Sequence, residues 1–172
     1  KFAMVTIDLG KLSWLPGSAV MEFGENKSGT VVDLFYNQYS DEGKIPFHKY
    51  PAEVSCVALA SRLHLSGAPG RVELFQIMGT RFVTMIFREN DKPLNLHFAW
   101  RSAVYPIEKK GYFNCSDEVL NRIYEASVHT QEVCSLDAYV DTPWREQSQW
   151  WGDARIQAKN TFFLAGDARL FA

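Results

Sequence analysis

The sequence predicts an α+β chain in two parts, an antiparallel β-sandwich followed by helices. Three observations carry that expectation. Short β-rich runs separated by turn residues fill the chain to about Tyr105. The texture changes after Pro106. A good helix cap at Ser116 is then followed by apolar positions at helical intervals.

The runs VTIDL, SAVMEFG, TVVDLFY, VSCVALASRLHLS, RVELFQI, RFVTMIF and LNLHFAW are rich in β-branched and aromatic residues. Pro16-Gly17, Asn26 to Gly29, Asp41 to Gly43, Gly67 to Gly70 and Asn90 to Pro93 separate them, as an antiparallel sandwich requires. Alternation in Arg62-Leu63-His64-Leu65 turns His64 away from its leucine neighbours. It reads as a solvent-facing or edge histidine, and His48 and His97 read alike.

A charged connector, Ile107 to Gly111, separates the parts, so the domains are drawn at 1–105 and 106–172. Ser116 is the expected N-cap, and Asp117 and Glu118 suit the positive end of a helix dipole. Val119, Leu120, Ile123, Tyr124 and Val128 recur at helical spacing, which predicts one buried face. A second helix is expected from Gly152 or Asp153 to Leu164. Gly166 is placed to end it, and Asp167 to cap a third.

Of the 172 residues, 47% are apolar and 22% charged, the balance of a chain able to bury a core. Eighteen basic against twenty acidic residues leave a charge of −2. No basic field is available for a phosphate backbone or an anionic membrane, so neither nucleic acid nor membrane is expected as a partner. Cys56, Cys115 and Cys134 are odd in number and unpaired in spacing, and read as three buried thiols. The histidines are scattered, and His129 reads as a helix-surface residue without ligand partners at i+3 or i+4. Neither metal nor cofactor is expected. Lys1 follows no signal pattern and the start reads as trimmed, which leaves the compartment open.

Chemistry concentrates in DAYVDTPWREQSQWWGDARIQ, residues 137–157, where Asp141, Arg145, Glu146 and Asp153 lie beside Trp144, Trp150 and Trp151. Pro143 disfavours α geometry at Thr142, so Asp141 is expected on a loop. Carboxylates accept bonds from sugar hydroxyls, and indole faces cover the apolar C–H surface of a ring. Acids that converge in a partly dry cleft oppose one another's ionisation, which makes Glu146 the candidate to keep a proton. Arg145 pulls the other way if its guanidinium is near. On residue chemistry alone, a surface loop with solvated charges and tryptophans as core anchors accounts for the strip equally well.

The spacing D-x-P-x-R-E-x-x-x-W-x-G-D, realised by Asp141, Pro143, Arg145, Glu146, Trp150, Gly152 and Asp153, resembles the active-site signature of the α-L-rhamnosidases of glycoside hydrolase family 78. GYFNCSDEVLNRIYEAS and GDARIQAKNTFF resemble the entry into that family's helical barrel and its next helix. FGENKSG and GTRFV echo the preceding sandwich. The resemblance implies a β-sandwich followed by the first helices of an incomplete (α/α)6 barrel. It implies an inverting enzyme that removes terminal rhamnosyl residues from an oligosaccharide or glycoside. By motif position Glu146 matches the general acid, Asp141, Arg145 and Asp153 match residues that hold the sugar, and Trp150 matches an aromatic of the pocket wall. Thr142, Trp144 and Gln147-Ser148-Gln149 depart from a typical member, which leaves the sugar and linkage open.

An inverting glycosidase needs a second carboxylate about 6.5 to 9.5 Å from the first, to activate water on the far side of the ring. The resemblance places that base on a later helix, outside these residues, so the isolated chain is expected to be inactive. Barrel helices without their neighbours are expected to leave an apolar face that associates with itself or a partner. Two other readings remain: a non-catalytic carbohydrate-binding sandwich module, and an α/α barrel enzyme for a different sugar. A binding module has no need of an acid at Glu146 flanked by two more at this spacing.

Overall fold

A computed structural model describes residues 2–10, 15–38 and 60–171. His48, Cys56 and the first part of the run beginning at Val54 lie outside the described residues. The chain divides into two compact units, Lys1–Ser102 and Ala103–Ala172.

The first unit is built of antiparallel strands. These are β1 (Phe2–Asp8), β2 (Gly17–Phe23), β3 (Val31–Asn37), β4 (Ala60–His64), β5 (Gly70–Glu73), β6 (Phe82–Arg88) and β7 (Leu96–Ser102). One sheet has the order β1-β6-β3-β4 and the other β5-β2-β7. Burial follows the two-residue period where it matters most. Val32, Leu34 and Tyr36 point to one face of β3, paired in register with Phe87, Met85 and Val83 of β6, and all six are buried. A fully buried leucine or valine contributes about 1.5 to 3 kcal/mol, so this face is a major source of the unit's stability.

The opposite face of β3 and β6 is mixed and only partly covered, yet it holds buried polar groups. Asp33 is 3% exposed. Its Oδ1 accepts a hydrogen bond from Arg62 Nε (2.5 Å) and its Oδ2 one from Arg62 Nη2 (3.1 Å), while Arg88 Nη2 donates to the same Oδ2. Register explains the meeting, because Arg62 lies directly opposite Asp33 on β4 and Arg88 lies diagonally across on β6. The bonds from Arg62 hold the Asp33 carboxyl below the usual carboxylate range, against the opposing effect of burial. Buried Thr84 shares a 2.9 Å hydroxyl contact with Thr6 of β1. His64 and His97 are exposed on β4 and β7.

The second unit holds α1 (Glu118–Val133) and α2 (Trp151–Ala165). The cap of α1 is Asp117 rather than Ser116, because the Asp117 carboxylate accepts from Val119 N at 2.9 Å. Ahead of it, the Asn121 side chain bonds both Cys115 N and Cys115 O at 2.9 Å. The expected buried face of α1 is covered only in part, with Tyr124 and Val128 half-buried. Val119, Leu120 and Ile123 are exposed, and only Gln131 and Val133 of this helix are buried. Helical spacing aligns a stripe; it does not supply a partner for it.

Helix α2 ends as expected. Gly166 takes the left-handed conformation (φ 65°) and its N–H donates to Phe162 O. The helix's terminal carbonyls are further satisfied by the chain just before α1, where Lys110 N and Gly111 N both donate to Leu164 O at 2.8 Å. A Cβ at Gly111 would come within 2.2 Å of Phe163 O, so only glycine permits this approach. No third helix follows among the described residues: Asp167 accepts from Arg169 N and caps a turn. Cys134 is buried, as expected, but Cys115 is half-buried and departs from the expectation. No helix among the described residues is long and apolar enough to cross a membrane.

Candidate functional site

The strip runs from just after α1 into the first turns of α2 and is tied down at several points. After α1 the chain turns tightly, with Val140 N donating to Cys134 O at 2.9 Å. Tyr139, 1% exposed, forms a small core with Ala154 and Ala158 of α2, and Leu170 packs against it. Gln157 of α2 donates to Val140 O at 3.0 Å and fixes the start of the strip to the helix. These contacts give the loop from Asp141 to Trp150 rigid ends.

Asp141 closes that loop. Its backbone N–H donates to Ser148 O and its Oδ1 accepts from Ser148 N, both at 3.0 Å. One carboxylate oxygen of this predicted sugar-binding residue is thus committed to the loop itself. Asp141 also lines a hollow of about 420 Å³ between α1 and α2, with Thr130, Gln131, Gln157 and Asn160 among its polar neighbours. Neither Glu146 nor Asp153 belongs to the wall of that hollow.

Between Asp141 and Ser148 the backbone turns through Pro143–Glu146. Trp144 points inward and is 5% exposed, so this indole is a core anchor. Glu146 is half-buried, yet its Oε2 is buried and has no hydrogen-bond donor among the described residues. Arg145 Nε lies 3.4 Å from that oxygen, at ion-pair distance outside hydrogen-bond geometry. The Arg145 guanidinium thus lies beside the Glu146 carboxylate, one of the two placements the sequence left open.

The residue after Glu146 is conformationally unusual. Gln147 has φ 50°, a left-handed conformation that costs a non-glycine residue about 1 to 2 kcal/mol. Its side-chain amide donates back across the turn to Pro143 O at 2.8 Å. Gln149 Oε1 accepts from Tyr139 N at 3.1 Å, which ties the loop's exit to the small core. The sequence marked Gln147 and Gln149 only as departures from the family pattern and gave Gln157 no role, so the part these three glutamines play in holding the loop was missed. Glutamine is not a marker of left-handed backbone, so nothing in the composition pointed to a reversal there.

Trp150 takes extended backbone as the residue preceding α2 and is 57% exposed. Trp151 beside it is 75% exposed. Asp153 stands exposed in the first turn of α2, where the helix dipole favours a carboxylate. The Cys134 thiol, whose Sγ lies 4.0 Å from Asp141 O, is pushed up to about 11, first by burial and then by the Asp141 charge. It is a protonated, inert group at neutral pH. Among the described residues no cluster of three or more His, Cys, Asp and Glu is placed to hold a metal ion.

Residues 108–172 match the family model described as the bacterial alpha-L-rhamnosidase 6 hairpin glycosidase domain. No curated protein sequence matches the chain. Among solved structures, the GH78 family rhamnosidase of Bacillus sp. GL1 is 29% identical with a TM-score of 0.82, over 98% of this chain and 17% of that one. A rhamnosidase from Klebsiella oxytoca with rhamnose bound aligns over 98% of this chain and 34% of that one, at 20% identity and a TM-score of 0.71. The alpha-L-rhamnosidase of Aspergillus terreus gives 20% identity and a TM-score of 0.66, over 96% of this chain and 19% of that one. The chain thus spans about a third of these proteins or less, and shares their fold along nearly all of its own length.

Proposed function

We propose, from the premise that this chain is of the family 78 α-L-rhamnosidase kind, that the protein carrying it hydrolyses terminal α-L-rhamnosyl residues with inversion. Glu146 acts as general acid toward the departing glycosidic oxygen. Asp141 and Asp153 accept bonds from ring hydroxyls, Arg145 holds the sugar and steadies the neighbouring carboxylate, and Trp150 offers its indole face to the ring's apolar side. The general base comes from a carboxylate outside residues 1–172, on the far face of the sugar.

The observation that best supports this reading is the Glu146 carboxyl, whose Oε2 is withdrawn from water without a hydrogen-bond donor. A structural carboxylate in such a place would normally be paired by several donors, as Asp33 is in the other unit. An acid that must deliver a proton to an incoming ligand is left with that capacity unspent.

The test uses the full-length protein. An α-L-rhamnoside is hydrolysed and the first-formed sugar is followed by proton NMR before it mutarotates. Appearance of the β-anomer first agrees with the proposal. The α-anomer first, or no rhamnoside turnover, refutes it. Residues 1–172 alone are expected to show no turnover, and measurable activity there would remove the claim that the base lies elsewhere.

A further inference from the structure

We propose that Gln147, Ser148 and Gln149 are positioning residues that aim the Glu146 carboxyl at the scissile oxygen; this rests on the reading of Glu146 as general acid. A proton donor must be placed within hydrogen-bond reach of its acceptor, and a misplacement of about 1 Å can cost roughly 100-fold in rate. With no hydrogen-bond donor on Oε2 among the described residues and Arg145 Nε 3.4 Å away outside hydrogen-bond geometry, the direction of the Glu146 side chain depends on the backbone that carries it.

That backbone is held from the C-terminal side by all three residues. Gln147 reverses the chain at φ 50° immediately after Glu146, and its amide ties the reversal to Pro143 O. Ser148 is pinned at both backbone atoms by Asp141, and its Oγ donates to Glu146 O at 3.2 Å. Gln149 accepts from the backbone of buried Tyr139. Left-handed backbone at a non-glycine residue persists only where its surroundings over-determine it. Here the surroundings are three side chains, of which Ser148 bonds Glu146 O itself while Gln147 and Gln149 tie the flanking backbone to Pro143 O and Tyr139 N.

The experiment measures kcat/KM in the full-length protein for two aryl α-L-rhamnosides, phenyl with a poor leaving group and dinitrophenyl with a good one. The variants are Gln147→Ala, Gln147→Gly, Ser148→Ala and Ser148→Thr, with Glu146→Gln as reference. Ser148→Ala and both Gln147 variants are expected to lose one to two orders of magnitude on the phenyl glycoside. Their loss on the dinitrophenyl glycoside is expected to be several times smaller, because that departure needs little protonation. Ser148→Thr keeps the hydroxyl and should recover most of the phenyl activity. Gln147→Gly relieves the left-handed backbone, so its melting temperature should equal or exceed wild type while the selective loss remains, which separates aiming from folding.

Equal losses on both glycosides, or none on either, would overturn the proposal while leaving a Glu146→Gln variant that still behaves as an acid knockout. Wild-type phenyl turnover in Glu146→Gln would instead overturn the general-acid reading, and the positioning claim with it.

Discussion

The central strands of the first unit and the two helices of the second treat their large apolar side chains differently. In the strand unit, β2 is buried from Gly17 through Met21, and β3 and β6 bury one face fully and hold Asp33 and Thr84 buried on the other, bonded by Arg62, Arg88 and Thr6. In the helical unit, Val119, Leu120 and Ile123 of α1 and Ile156, Phe162 and Phe163 of α2 stand in the open. Similar residue types thus mean different things. In a sheet with neighbours on both sides, alternation marks a core face. On these helices, apolar spacing marks a face that waits for something to cover it.

The largest effect should fall in the strand core. Leu34→Ala is expected to destabilise the chain by about 2 to 5 kcal/mol, because Leu34 is fully buried and its neighbours close only partly over the gap. Ile123→Ser and Phe163→Ser, by contrast, should change stability by about 0.5 kcal/mol or less. They should also reduce any concentration-dependent association of the isolated chain. Chemical denaturation and sedimentation measure both, and comparable destabilisation by all three substitutions would erase the contrast.

Asp33→Asn should cost about 2 to 3 kcal/mol, since it removes charge-assisted bonds from Arg62 and Arg88 and leaves two cations facing an amide. The sign with pH follows from the lowered carboxyl. Its contribution is fully present above the unfolded value of about 3.9 and is lost as pH falls below that value through the depressed folded one. Acid titration of stability should therefore flatten in the variant. An unchanged acid limb would mean that Asp33 does not carry it.

Gly111→Ala should cost about 1 to 3 kcal/mol, because the added methyl meets Phe163 O and disturbs the bonds to Leu164 O. Helicity measured by circular dichroism should fall with it. A neutral Gly111→Ala would show that the end of α2 does not depend on this docking.

The sequence made some of this legible and some not, for physical reasons. Strands were readable because Gly, Pro and Asn turns delimit them, and the end of α2 because Gly166 is the usual left-handed stop. The first helix was placed one residue early, since Ser116 and Asp117 are both good caps and only the reach to Val119 N decides between them. Spacing by itself named a face of α1 without naming its partner, and only the family resemblance, which implied barrel helices without their neighbours, led to the expectation of an uncovered apolar face. Within the strip, Asp141, Arg145, Glu146 and Asp153 stood out as charges. The glutamines that hold the loop did not, because their roles depend on a backbone reversal that no residue type announces.

The most direct measurement is kcat for an unactivated α-L-rhamnoside in the full-length protein carrying Glu146→Gln. The amide keeps the side chain's shape but cannot donate the proton, so a loss of about 10² to 10⁴ with rhamnose binding retained is expected. A kcat equal to wild type would contradict the assignment of Glu146 as the acid.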